Sequence, residues 1–267
     1  MKKLLSFMIL SMLMVSILAG CGTKEDADNS DDGNNTENTG AADTDNNKEK
    51  LIVGTEAGFA PYEYMEGDKV VGIDMDIAQA IADSLGRELE IKNMDFTGAL
   101  MAVQNGTIDF VAAGVSVDEE RQKVMDFSID YVDSTEVIVV NKENPMVAGS
   151  EDLKDKIIGV QQGNIADFYV EENIEFKEIK RYTKFSQATE DLKNRKIDCI
   201  VMDLFPAQEM VASNPELIIL EGDPLFQDKY AIAVKKGNTE LLEQINEVIQ
   251  DLKDNGKIEE FTAVHTK

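Results

Sequence analysis

An arginine and an aspartate far apart in the chain carry the chemistry this sequence offers most plainly. Arg121 lies at the start of a helix entered by Asp118, and a guanidinium fork matches a carboxylate with two parallel hydrogen bonds. A helix N-terminus there would add free N–H donors for the same anion. The competing reading is a surface arginine paired with Glu120 or Asp126. Asp203 closes the apolar run Cys199 to Met202, where an acid does not belong in a core. It either meets a cation or caps a helix beginning at Leu204. An α-amino acid presents one carboxylate and one ammonium, so the two residues together suit such a ligand.

Other chemistries are narrowed by what the chain holds. His265, near the end of the sequence, is its single imidazole and reads as part of a frayed tail. A His-centred triad or a multi-imidazole zinc site is thereby set aside, and neither a cofactor nor a metal is expected. A formal net charge of −26 repels nucleic acid and anionic lipid, and otherwise serves solubility. Of the two cysteines, Cys199 sits between Asp198 and Ile200 in an apolar strand and reads as a small buried hydrophobe.

Cys21 belongs to an address. Met1-Lys2-Lys3 is a basic start, and the apolar run Leu4 to Leu18 is too short for a comfortable membrane span. Leu18-Ala19-Gly20-Cys21 resembles the lipobox of bacterial lipoproteins, which implies a lipid on Cys21 and rules out its pairing with Cys199. Residues 1–20 are then a signal peptide. Residues 21–50, dominated by Asp, Asn, Thr, Glu and Gly, cannot bury enough apolar surface to fold and read as a tether.

From Leu51 onward the pattern is globular. Leu51 to Val53 reads as a strand. Ile73 to Leu85 has helical spacing, with Asp74 a candidate N-cap and Gly86 a stop. A strand over Leu89 to Ile91, a helix over Thr97 to Gln104 and a buried strand over Phe110 to Val115 follow, so a largely parallel α/β sheet is expected. Asn105-Gly106-Thr107-Ile108-Asp109 is echoed by Asn194-Arg195-Lys196-Ile197-Asp198, each leading into an apolar strand. The echo suggests two similar lobes, and ligands in such sheets bind beyond the carboxyl ends of strands.

Five segments in chain order carry a resemblance: VGTEAGFAPYEY (53–64), VVGIDMDIAQAIADSLG (70–86), MDFTGALMAVQNGTIDFVAAGVSVDEERQKVMDFS (94–128), GVQQGN (159–164) and the strand ending at Met202-Asp203. The chain resembles the periplasmic-type binding proteins of polar amino acid ABC importers, similar to the glutamine, histidine and lysine/arginine/ornithine binders. The resemblance implies an α/β, two-lobe periplasmic-binding-protein-like fold, with a ligand cleft between lobes joined by two hinge strands. The crossings would lie near Val137–Asn141 and Lys229–Val234. Lobe 1 would take 51–140 plus 229–267, and lobe 2 would take 141–228.

The same resemblance implies roles for particular residues. Arg121, helped by Ser116, would hold the ligand's α-carboxylate, with lobe 2 amides from Gly163, Asn164 and Ile165. Asp203 would receive the α-ammonium, with Gly114 offering its carbonyl, and Ala113 would also contact the ligand. Phe59 and Phe96 would cover the aliphatic part of the ligand. Glu56, Gln161 and Met202 would choose its side chain. With no positive charge identified opposite Glu56, a neutral polar or cationic amino acid is expected.

The implied protein is no enzyme. It is a monomeric extracytoplasmic lipoprotein, lipid-anchored on the outer face of the cell membrane, with an ABC permease as its partner. The alternatives are a ligand-sensing lipoprotein without a transport role and a cyclohexadienyl-dehydratase-like enzyme on the same fold. For the enzyme only Glu56 or Asp203 could serve as acid or base.

Overall fold

The structure, a computed structural model, describes residues 49–222 and 224–266. The expected signal peptide, Cys21 and all of the expected tether except Glu49 and Lys50 lie outside the described residues. Among the described residues no helix is long and apolar enough to cross a membrane.

The chain opens with β1 (Lys50–Thr55), β2 (Gly58–Phe59), β3 (Glu63–Glu66), β4 (Lys69–Val71) and α1 (Ile73–Ser84). Next come β5 (Glu88–Asn93), α2 (Phe96–Asn105), β6 (Phe110–Val111), α3 (Glu119–Val124) and β7 (Met125–Phe127). Then follow β8 (Val132–Asn141), β9 (Ile157–Gln161), α4 (Ile165–Asn173), β10 (Glu178–Tyr182) and α5 (Phe185–Lys193). After β11 (Cys199–Asp203), α6 (Leu204–Ser213), β12 (Leu217–Ile219) and β13 (Phe226–Tyr230), the chain closes with β14 (Ala233–Lys235), α7 (Thr239–Asp254) and α8 (Lys257–His265).

Three sheets result, one large sheet per lobe and a small antiparallel one, β2-β3-β4. The first runs β5-β1-β6-β14-β7 and the second β10-β9-β11-β8-β12, with β13 also paired to β8. In the first, β5, β1 and β6 are parallel. Such strands are covered on both faces, and β6 shows it: Phe110 packs in the cluster with Ile77, Ile81, Ile245 and Ile249, while Val111 packs with Phe96, Ala99 and Val103 of α2. The C-terminal helix α7 joins this lobe through Leu241, Ile245, Ile249 and Leu252, one stripe at helical spacing.

The sequence echo proves to be a shared structural device. Gly106 and Arg195 each take a left-handed turn, with φ of 73° and 59°. Asp109 then accepts from the Ile52 amide at 2.7 Å, and Asp198 from the Ile157 amide at 2.8 Å. In each lobe the aspartate ties its own strand to the amino end of the neighbouring parallel strand.

Three expectations need correction. Asp74 is not the cap of α1, because Gly72 holds that place with φ 134°. A Cβ on Gly72 would lie 2.1 Å from the Tyr62 carbonyl oxygen, so only glycine fits there, and Asp74 is carried into the buried first turn. The outward crossing is not at Val137–Asn141. β8 pairs with β11, β12 and β13 from Val132 to Asn141, so all of it belongs to the second sheet. The lobes exchange chain at 128–131 and again at 231–232, and the apolar run 137–140 reflects a central strand rather than a hinge. Last, His265 is not frayed. Its ring lies between Tyr64 Oη and Asp76 Oδ2, 3.0 Å from each, and closes α8 onto the first lobe.

Candidate functional site

Arg121 is buried, only 6% exposed, and is no surface arginine. Its two sequence neighbours of opposite charge are taken elsewhere, Glu120 by Lys123 and Asp126 by Lys236. The guanidinium lies between the rings of Phe96 at 5.5 Å and Phe168 at 5.7 Å. Nη1 donates to the Ser116 carbonyl at 2.6 Å, Nη2 to the Gly163 carbonyl at 2.7 Å, and Nε faces Asp118 Oδ2 at 3.1 Å. Ser116 belongs to the first lobe and Gly163 to the second, so this side chain spans the cleft. The amides expected to be free at the start of α3 are occupied, because Asp118 Oδ1 accepts from the Glu120 and Arg121 N–H groups.

Gly163, Asn164 and Ile165 form the entry to α4, with Asn164 as its cap accepting from the Ala166 amide at 3.1 Å. The Gly163 amide donates to Asp167 Oδ2 at 3.0 Å. Thr97 Oγ1 donates to the Gln162 carbonyl at 3.2 Å, a second bond between the lobes.

Asp203 is fully buried at the carboxyl end of β11. It occupies the N-cap position of α6 but makes no side-chain cap bond. Its Oδ1 instead accepts from Ser134 Oγ at 2.7 Å and from Tyr230 Oη. Burial pushes its carboxyl up, and the two hydroxyls pull it part of the way back.

Gly114 faces Asp203's lobe from the end of the β6 segment, after the buried Ala113. Its φ is +54°, and a Cβ would lie 2.8 Å from Phe59 Cε1, so the backbone approaches the ring as only glycine allows. The Gly114 amide donates to Asp74 Oδ2 at 2.9 Å, and Tyr131 Oη donates to the same carboxylate at 2.8 Å. The misplaced helix cap is thus the residue that fixes Gly114.

A further polar group is built around Glu56, just past β1 and buried. Gln161 Nε2 donates to its Oε2 at 3.1 Å, and Lys184 Nζ stands 3.3 Å from its Oε1. Burial pushes the Glu56 carboxyl up, and Lys184 and Gln161 pull it back. Phe59 stacks on Phe185 at 5.9 Å and on Tyr62 at 6.0 Å.

Phe96 sits under Arg121 rather than beside Phe59 and packs with the first-lobe core. Met202 points into the core cluster that includes Phe59, Tyr62 and Phe185. A cavity of about 350 Å³ opens beside it, lined by Gly58, Ala60, Phe185, Met202 and Pro206, and it touches neither Arg121 nor Asp203.

Sequence reasoning missed Lys184, Ser134, Glu136, Asp228, Tyr230, Phe168 and Phe185. Lys184 also overturns the premise that no cation opposes Glu56. It stands between β10 and α5, a position that no spacing rule singles out.

Two α/β lobes exchanging two chain crossings, with a buried arginine and a buried aspartate turned into the cleft, define a bilobal solute-binding protein. The chain belongs to the bacterial extracellular solute-binding proteins, family 3, which it matches over residues 51–265. It is 31% identical over 223 residues to the arginine-binding extracellular protein ArtP of Bacillus subtilis (strain 168), covering 82% of this chain and 86% of that one. The crystal structure of the P235GK mutant of ArgBP from T. maritima superposes with a TM-score of 0.74 at 38% identity, over 79% of this chain and 93% of that one. An ancestral arginine-binding protein bound to glutamine has a TM-score of 0.74 at 38% identity, over 80% and 96%. The two-lobe α/β expectation and the family resemblance are both met, and the relatives named here are binding proteins rather than enzymes.

Proposed function

We propose that this protein captures a polar amino acid outside the cell membrane and delivers it to an ABC importer, held to the membrane by lipid on Cys21. The observation that carries the reading is the pair Arg121 and Asp203, both buried, charged and turned into one cleft. The ligand's α-carboxylate takes the Arg121 fork in place of the Ser116 and Gly163 carbonyls, a charge-assisted exchange for two neutral acceptors. Its α-ammonium meets Asp203 and the Gly114 carbonyl. Since Arg121 and Gly114 belong to one lobe and Asp203 to the other, binding favours the closed arrangement.

The ligand is a neutral polar or cationic amino acid, with glutamine-like and arginine- or lysine-like side chains both suited. Glu56 is fixed in the cleft at 2% side-chain exposure, whereas Lys184 stands at its mouth at 48%. The lysine can swing out into water, leaving the acid for a guanidinium or ammonium, or stay and share an amide with it. An acidic side chain meets Glu56 instead, a costly contact in a desolvated cleft. The arginine-binding and glutamine-bound relatives agree with this range.

A thermal-shift screen of the common amino acids tests the reading. A ligand at a hundredfold excess over its Kd stabilises by about 2.7 kcal/mol. Glutamine, arginine or lysine should raise the melting temperature, with aspartate and glutamate at least tenfold weaker. No shift with any amino acid overturns the proposal.

A further inference from the structure

Beyond Asp203, the second sheet collects acids that amino acid binding as described does not use. Strand register places them. Glu136 is the direct partner of Asp203 across β8 and β11, and Ser134 is the direct partner of Asp228 across β8 and β13. Directly opposed residues, and residues two apart on one strand, share a face. Ser134, Glu136, Asp203, Asp228 and Tyr230 therefore stand on one face of the sheet. One carboxylate oxygen from each of Glu136, Asp203 and Asp228 lies within 4.8 Å of the others. Glu136 is 0% exposed, and no described protein group donates to either of its oxygens or to Asp203 Oδ2.

We infer that Glu136 is part of the ligand's ammonium site, holding a proton shared with Asp203 until the ammonium enters in exchange for that proton. This rests on the reading of Asp203 as the ammonium's acceptor. Two carboxylates in such a place cannot both ionise at ordinary pH without a cation between them. The other groups facing the pair add little positive charge. Asp228 and Tyr230 face it from β13, Tyr62 from the turn between β2 and β3, Glu63 from the start of β3, and Arg121 from α3, already engaged by Asp118.

Burial and then the neighbouring Asp203 and Asp228 hold the Glu136 carboxyl well above the usual carboxylate range. The same causes, burial and then Asp203, push Asp228 up to about 6. A protonated Glu136 supplies an O–H on the same face as the unpartnered Asp203 Oδ2. When an ammonium arrives, its N–H groups replace that O–H and its charge favours the ionised acid, so the proton leaves Glu136 for the solvent. The only bond broken is the Glu136 O–H, and its proton passes to water.

The sign follows from linkage. A group whose pKa is higher in the free than in the bound protein weakens binding as pH falls through its free-state value. Affinity should therefore fall as pH is lowered through the raised value that Glu136 holds in the free protein, while the ligand's ammonium stays charged throughout.

Calorimetry of the amino acid selected by the screen, at pH 6.5 in phosphate and in a buffer of high ionisation enthalpy, reads the proton directly. The apparent enthalpies should differ, giving net release of at least about a third of a proton per ligand. Glu136→Gln should bind more weakly than the parent at pH 7.5, release no more than half as many protons, and show a flatter pH profile. Equal enthalpies in the two buffers for the unsubstituted protein, or unchanged release in Glu136→Gln, overturn the inference while leaving amino acid binding in place. An unsubstituted protein that binds no amino acid removes both.

Discussion

The two ends of the cleft are built on different principles. At the end proposed to meet the α-carboxylate and α-ammonium, Arg121, Asp203 and Gly114 are anchored in the fold. Arg121 is wedged between two aromatic rings, Asp203 is held by Ser134 and Tyr230, and Gly114 is fixed by Asp74 and crowded by Phe59. At the other end a buried glutamate is met by a half-exposed lysine and a single amide. A preorganised end loses little entropy when it binds, whereas a loose end can exchange partners. One scaffold can thereby keep its grip on the invariant part of an amino acid while its selectivity drifts.

Substitutions can break this contrast, and the largest effect should come from Arg121→Ala. It removes the bidentate partner and leaves a buried carboxylate unpaired, a loss of about 2–5 kcal/mol or more, which amounts to at least thirtyfold in Kd. Circular dichroism should remain that of the parent. Affinity within threefold of the parent by calorimetry contradicts the assignment.

Asp203→Asn keeps the shape and the contact with Ser134 and Tyr230 but removes the charge. A hydrogen bond to a charged group contributes about 1.5–3 kcal/mol, so binding should weaken roughly ten- to a hundredfold for every amino acid alike. A loss confined to one ligand class places Asp203 at the side-chain end instead.

Lys184→Met is the converse case, with a smaller and selective effect. Freed of its competitor, Glu56 should bind arginine up to about tenfold more tightly, which is 1.4 kcal/mol, while glutamine stays within about threefold. Uniform change across ligands shows Lys184 to be a lobe-closing latch rather than a determinant of selectivity.

The anchor is separable from all of this. Cys21→Ser should release the protein from membranes and leave its affinity unchanged. Continued membrane association of this variant refutes the lipid attachment.

The contrast also accounts for what could be read from the chain. Asp203 stands out because it closes an apolar strand and Arg121 because it follows a helix cap at Asp118, and the lobe echo survives because both copies need an aspartate to tie parallel strands. Lys184, Glu136 and Asp228 carry no such mark. They reach the site only through the pairing of β8 with β11 and β13 and through lobe closure, neither of which a linear pattern contains. The hinge was misplaced for a related reason. A central strand and a buried crossing both read as an apolar run, and only the pairing of β8 on both sides tells them apart.

The central claim is that the cleft grips both α groups of a free amino acid. Its most direct measurement compares, by calorimetry, the best ligand from the screen with that ligand's own α-carboxamide. The amide keeps the side chain and the ammonium but removes the charge meant for Arg121. Binding of the amide should be at least thirtyfold weaker, or undetectable, in line with the loss expected for Arg121→Ala. Equal affinity for the two would show that Arg121 does not hold the ligand's carboxylate, and the site drawn here would be wrong.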